Sequence, residues 1–244
     1  MRPLFFLFPL IAFAQEAERT CMLKLAWWDA PTTIPGPTLA LASDGAEPKP
    51  FSPQVMNFTT TARNRGDIAN FVVKEVVKDP KAGKDTITWN PFASVSLPKD
   101  DDTLGVILLT DAAGKKGGGR AFSLGANNFP MGSVRLVNLT NRQLLLGMDN
   151  RTIAVSPGNT GTHPKVFQKA EISEITVVAN IQGEAKPVFT TKSEFSGLFR
   201  LILFVAEVQN SNPVSFEVRT IIDFPQPETK SPTAKPSVET KSSR

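Results

Sequence analysis

The chain has 244 residues, of which 41% are hydrophobic and 20% charged; this is enough apolar material for a buried core and excludes wholesale disorder. A single Cys excludes a disulfide framework, and a single His excludes zinc sites built from several His and Cys. The net charge is +4, but the leader and the last twenty residues carry most of it. About +1 remains on residues 15–224, so no strong field attracts nucleic acid, and we exclude that partner.

The first residues have the parts of a secretory signal. Arg2 precedes an apolar run over residues 4–13, and Ala12-Phe13-Ala14 before Gln15 matches an A-x-A cleavage site. The run is too short to span a bilayer. We therefore expect a signal peptide over residues 1–14, export to the periplasm or the exterior, and no membrane span after cleavage.

Short β-rich runs follow one another along the rest of the chain. Alternation of apolar and polar residues is clear in residues 134–139 and 214–219. In chain order, the predicted strands are 22–28, 54–62, 69–77, 85–89, 93–97, 104–110, 120–124, 133–139, 143–148, 151–155, 172–181, 186–190, 198–208 and 214–222.

Turn signals separate these runs. Asp149-Asn150 and Gln182-Gly183 are typical of two-residue hairpins, because these residues tolerate positive φ. Many short strands with such turns predict an all-β fold, an antiparallel β-sandwich of the Ig-like kind. We expect either one large sandwich or two closely packed ones over residues 15–224, and the glycine-rich stretch within 112–130 is the nearest sign of a subdivision.

Residues 225–244 are rich in Pro, Ser, Thr and Lys and nearly free of apolar residues. Such a segment cannot bury enough surface to offset the entropy of ordering. We therefore predict a disordered tail. The alternative is a basic tether to an anionic polymer of the envelope.

Residues 129–158 read FPMGSVRLVNLTNRQLLLGMDNRTIAVSPG. They contain a Pro-x-Gly-Ser turn, a strand ending in Asn-Leu-Thr, a hairpin and a Pro-Gly turn. This pattern resembles uncharacterised exported bacterial β-sandwich proteins and, more loosely, DUF4397-type Ig-like domains. The resemblance implies an Ig-like fold in a bacterial envelope, and it brings no catalytic residues.

No catalytic, cofactor-binding or metal-binding residues are predicted. His163 lies in a Thr-His-Pro stretch that we interpret as a turn, and no G-x-S-x-G nucleophile motif accompanies it. Asp100, Asp101 and Asp102 lack the spaced pattern of a calcium loop. The lysines before Gly117 precede the glycines, whereas a phosphate-binding loop requires the reverse order.

Three tryptophans are the candidates for ligand contact. Neighbouring strand residues point to opposite faces, so one of Trp27 and Trp28 could face outward. An outward Trp offers a large apolar area at little entropic cost, and Trp89 is the third candidate. The alternative is that sheet or loop covers both faces.

Three functions remain open. The first is a non-enzymatic, exported binding or accessory protein with an envelope protein as its partner. The second is a carbohydrate-binding module that uses an exposed Trp on a polysaccharide. The third is a glycan-active enzyme, which would need two converging acids. We favour the first.

Overall fold

The computed structural model describes residues 19–29, 39–42, 47–78, 85–111 and 116–224. These residues form strands and turns, with no helix among them, so the expectation of an all-β fold is confirmed. The described ranges therefore also hold no helix that is long and apolar enough to cross a membrane. The leader over 1–14 and the tail over 225–244 lie outside the described residues, and both stay predictions.

In chain order, the described strands are β1 (Thr20–Trp27), β2 (Leu39–Leu41), β3 (Gln54–Val55), β4 (Thr60–Arg65), β5 (Ile68–Lys78), β6 (Asp85–Ser96), β7 (Thr103–Thr110), β8 (Gly117–Ser123), β9 (Ser133–Asn138), β10 (Leu144–Met148), β11 (Arg151–Val155), β12 (Thr160–Val166), β13 (Glu171–Ile181), β14 (Glu184–Phe195), β15 (Arg200–Glu207) and β16 (Phe216–Asp223). Some of them, such as β13, alternate between buried and exposed residues, whereas β9 and most of β15 are buried on both faces.

These strands form four sheets. Sheet I contains β1, β3, β4, β7 and β8, and sheet II contains β2, β5 and β6. Sheet III contains β9, β12, β15 and β16, and sheet IV contains β10, β11, β13 and β14. Sheets I and II enclose one apolar core, and sheets III and IV enclose a second. The chain passes from the first sandwich to the second between Ser123 and Ser133.

The two sandwiches repeat one strand order. In sheet I the hydrogen-bonded order is β4–β1–β7–β8, and in sheet III it is β12–β9–β15–β16. The two central strands are parallel in each sheet, and the flanking pairs are antiparallel. The expectation of an antiparallel sandwich is therefore wrong for the central pairs, because the chain crosses to the other sheet between β1 and β7 and between β9 and β15. Each half also has one long hairpin with a bulge beside a proline, at Pro91 in β6 and Pro187 in β14. The halves thus share this strand order, which their residues alone do not reveal. They differ at β3, which pairs parallel with β1 in sheet I, and at β11, which has no described counterpart in sheet II.

Sheets I and III pack against each other through a third apolar cluster, here called the seam. The ring of Phe204 in β15 makes edge contacts with Trp28 and Phe122 of the first half, at centroid distances of 6.3 and 5.6 Å. The layer order is therefore II–I–III–IV, and sheets I and III are covered on both faces. The seam residues are Ala26, Trp28, Phe58, Ile107, Phe122, Leu124, Phe129, Val137, Ile202, Phe204 and Ile221.

Buried charges cross the seam. Lys24 in β1 reaches Asp223, the last residue of β16, with 2.7 Å between Nζ and Oδ1. Arg200 binds the other oxygen of that carboxylate, also at 2.7 Å. In the reciprocal direction Arg135 in β9 donates to the carbonyl of Ser123, the last residue of β8. One basic side chain from the first strand of each half therefore binds the end of the last strand of the other half.

The structure corrects the predicted boundaries of two strands. Residues 85–89 and 93–97 were predicted as separate strands, but β6 runs through Pro91, because Pro91 sits at a bulge of a strand that is hydrogen-bonded to β5 alone. The strand predicted over 120–124 begins earlier, because Gly117 already belongs to β8. A Cβ there would lie 2.1 Å from Cε1 of Phe92, so the glycine permits close packing against β6.

Three further differences concern strands that the sequence pattern missed or displaced. The segment around His163 was predicted as a turn and forms β12 instead. β2 was not predicted at all. Residues 54–62 were predicted as one strand, but β3 and β4 are separated there by a turn. The hairpin turns at Asp149 and Gln182 are confirmed, and both residues have positive φ.

Asp223→Asn tests the charge network of the seam. The substitution leaves Lys24 and Arg200 buried without their common carboxylate, and we expect a loss of about 3–5 kcal/mol in the free energy of unfolding. Equilibrium denaturation in urea measures this loss. Glu184→Gln, which removes the exposed pair with Lys186, is the control and should cost less than about 1 kcal/mol. Equal losses in the two variants would contradict the assignment.

Candidate functional site

Trp27 and Trp28 are both buried, so the prediction that one of them faces a ligand is wrong for this fold. Their exposed fractions are 5% and 7%. The two side chains do point to opposite faces of sheet I: Trp27 packs on Phe92 in the first core, and Trp28 packs on Phe204 in the seam. Because both faces of sheet I are covered, neither ring is free to stack on a sugar.

Trp89 is half-buried and lies on the long hairpin β5–β6. It pairs with Lys74, and two residues further on Ile87 pairs with Val76 on the same face. Trp89 is thus the predicted ligand-contact residue that retains accessible surface.

The hairpins β5–β6 and β13–β14 each form eleven residue pairs, but β5–β6 extends further from its bulge to its turn. From the bulge to the turn, β13–β14 forms four residue pairs and closes with Gln182-Gly183 after the pair Ile181–Glu184. Counted in the same way, β5–β6 forms seven pairs and continues to Lys78–Asp85. The three additional pairs, residues 76–78 and 85–87, are here called the arm.

The arm presents apolar side chains to solvent. Val76, Val77 and Ile87 are 49%, 48% and 45% exposed. Val76 and Ile87 share the face of Trp89, and Val77 is on the opposite face. The second half completes the same topology without these pairs, so the fold does not require them. The arm is therefore a candidate interaction surface.

His163 is buried in β12 and engaged by the backbone on both ring nitrogens. Nε2 lies 3.2 Å from the carbonyl oxygen of Arg151, and Nδ1 lies 3.2 Å from the amide nitrogen of Lys165. A carbonyl only accepts and an amide N–H only donates, so the neutral tautomer with a proton on Nε2 fits both contacts. Burial lowers the pKa of His163. The side chain therefore serves the structure of β12 rather than proton transfer.

The aspartate run at 100–102 also serves the fold. The carboxylate of Asp101 accepts hydrogen bonds from the hydroxyl of Ser123 and the amides of Gly125 and Thr103. It thereby ties the turn before β7 to the end of β8. The described ranges contain no group of three His, Cys, Asp or Glu arranged to hold a metal ion.

The Cys21 thiol is buried in the first core, where it donates to the carbonyl of Asn64 with a sulfur–oxygen distance of 3.9 Å. Burial raises the pKa of this thiol. A protonated, inaccessible thiol is a poor nucleophile, so Cys21 is a packing residue.

Two cavities lie at the ends of sheets. One of about 560 Å³ opens at the end of the seam, between Trp28, Leu139 and the turn that follows β15. Its acidic side chain, Glu207, pairs with Arg142 at 2.8 Å. The other, of about 410 Å³, adjoins His163, and its Lys165 is held between Asp149 and Glu171 at 2.6 Å each. Glu207, Asp149 and Lys165, which line these cavities, are thus engaged with neighbours.

Comparison with family models and with curated proteins found no match for this chain.

The titration of His163 predicts a pH dependence of stability. An unfolded His takes up a proton near pH 6.5, whereas folded His163 does so only at lower pH. Below about pH 6.5 the unfolded state therefore binds more protons, and the free energy of unfolding falls as the pH falls through the pKa of the folded state. Urea midpoints between about pH 7.5 and 5 measure this trend. His163→Gln should flatten it, and an unchanged slope would show that another group is responsible.

Proposed function

We propose that this chain is an exported, non-enzymatic binding protein of the cell envelope that contacts a protein partner through the arm. The observation that carries the proposal is the exposed apolar surface of Val76, Val77 and Ile87 on three residue pairs that the second half lacks. A two-stranded ribbon is marginally stable by itself in water. Docking of its apolar faces on a partner would both stabilise the ribbon and remove these side chains from solvent.

Export rests on the leader pattern, Arg2 followed by an apolar run and an A-x-A site. The Ig-like assignment and the kinship with exported bacterial β-sandwich proteins rest on residues 129–158. The observation that each half encloses its core between two sheets supports them. A periplasmic or secreted location follows from the leader alone.

Three side chains support a non-enzymatic role. His163 has both ring nitrogens bonded to the backbone, Asp101 is engaged by a hydroxyl and amides, and Cys21 is buried. Each of these three residues is thus engaged in packing or in a turn.

The hairpin turn of β13–β14 shows how the arm can be removed. Replacing residues 76–87 with Gln-Gly joins Glu75 to Thr88 as Gln182-Gly183 joins Ile181 to Glu184. Because residues 76, 77 and 85–87 are exposed, we expect the free energy of unfolding to change by less than about 1 kcal/mol. A photo-crosslinking amino acid at Val76 of the full-length arm should yield one discrete adduct with a second protein in the producing cell.

The same amino acid at Ile172, which is 65% exposed on β13, is the control and should give no such adduct. Binding of that partner, once purified, should be lost in the shortened variant. Equal adducts from positions 76 and 172, or undiminished binding by the folded shortened variant, would refute the proposal.

A polysaccharide ligand is the second candidate, and the accessible surface of Trp89 beside Ile87 favours it. If a glycan is bound, Trp89→Ala should weaken co-sedimentation with peptidoglycan or envelope polysaccharide at least tenfold, because the ring supplies the stacking surface. Val77→Ala, on the opposite face of the arm, should leave it unchanged. Absence of saturable binding by the unaltered protein would eliminate this candidate.

A further inference from the structure

The outer edge of β6 is open over residues 85–90. Among the described strands, β6 is hydrogen-bonded only to β5, so one side of its backbone has no strand beside it. Residues 85–90 are exposed except for the half-buried Trp89. An edge of this kind is a template for another strand.

The equivalent edge strand of the second half is protected against such pairing. β14 carries Lys186 and Lys192, and charged residues are a usual means by which an edge strand is kept from adding a neighbour, whereas its Pro187 has a counterpart in Pro91 of β6. Residues 86–90 of β6 read Thr-Ile-Thr-Trp-Asn, without a charge or a proline. Two edges of one topology thus differ in the residues that prevent strand addition.

The open edge is complementary to itself. We propose that a second copy of this chain pairs antiparallel with residues 85–89 of β6, about a two-fold axis at Ile87. In this register Ile87 faces Ile87 of the second copy, Thr86 faces Thr88 and Asp85 faces Trp89. No like charges oppose each other, and threonine and isoleucine are favourable cross-strand neighbours. The contact closes on itself, as a two-fold interface must.

The pairing also extends an apolar row. Val76 and Ile87 are cross-strand neighbours within one copy. Joining the edges places the Ile87 side chains of the two copies side by side, so the row runs Val76–Ile87–Ile87–Val76 across four strands. Two Trp89 rings flank this row on the same face. Side chains that are about half exposed in the single chain thereby gain apolar neighbours.

The contact is small. The five residues 85–89 from each copy form less than the standard protein interface of about 800 Å² per partner, so we expect a weak, reversible dimer with a dissociation constant in the micromolar range. The inference does not rest on the proposed function, because it uses the backbone edge of β6, whereas the proposed partner contacts side chains on the faces of the arm.

Sedimentation of the full chain from about 1 to 100 µM tests the inference. The unaltered protein should pass from monomer to dimer as its concentration rises. The double substitution Thr86→Lys and Thr88→Lys places lysines opposite each other and should weaken the dimer at least tenfold. These threonines are on the face opposite Val76, Ile87 and Trp89, so that face of the arm stays unaltered, and Val77 is the residue of the proposed partner surface that shares their face.

Thr152→Lys with Thr190→Lys is the matched control, since it adds the same charge to the exposed edge strands of sheet IV. This control should dimerise as the unaltered protein does. Amide hydrogen exchange gives a second measurement, in which residues 85–89 should become protected as the concentration rises and β14 should not. A monomer throughout the range, dimerisation of the Thr86/Thr88 variant at the original strength, or protection at β14 instead would overturn the inference.

Discussion

The fold depends on a carboxylate that is shared by two cations inside an apolar interface. Apolar packing of sheet I on sheet III is not directional, and by itself it would allow the two sandwiches to slide or rotate. Asp223 fixes their relation, because it accepts from Lys24 of one half and Arg200 of the other. Burial of such a group is costly when a partner is missing, so arrangements that separate these residues are disfavoured.

The seam holds more positive than negative charge, and the backbone compensates for the excess. Arg135 binds the carbonyls of Ser123 and Asn128, and Arg200 binds the carbonyl of Phe129. The ring of Phe129 lies between the two guanidinium groups, at 4.3 and 4.8 Å. Burial, with Arg200 nearby, lowers the pKa of Arg135 to about 10, so it stays charged at neutral pH. The segment that connects the halves is thus itself part of the seam.

Alternation of apolar and polar residues located most strands, because it depends on side chains two residues apart. It could not distinguish a core from the seam. Leu25 and Ala26 are both apolar, but Leu25 faces sheet II and Ala26 faces sheet III. The same ambiguity explains the tryptophans, since exposure of one neighbour follows only if a face of the sheet is open. β12 was missed because His163-Pro164 reads as a turn, and its burial depends on contacts distant in sequence.

The arm could have been located only in part. Its apolar residues are visible in the sequence. That they lie beyond the point where β13–β14 turns is known only from comparing the two hairpins, and the repeat of strand order is not visible in the residues. The seam covers the faces of sheets I and III that are turned away from the two cores. The surfaces that other molecules can reach are therefore the outer faces of sheets II and IV and the strand edges. The arm and the open edge of β6 both belong to sheet II.

The repeated strand order has a consequence for how such a protein can change. In a symmetric pair of identical chains, every substitution or insertion appears twice, once on each side of the axis. Here the two copies of the topology lie in one polypeptide, so a change in one leaves the other as it was. The hairpin β5–β6 can extend beyond its bulge and lack charged residues on its edge, while β13–β14 turns sooner and keeps lysines on its edge. Because the two halves lie in one chain, the first half is free to acquire contacts while the second half remains without them.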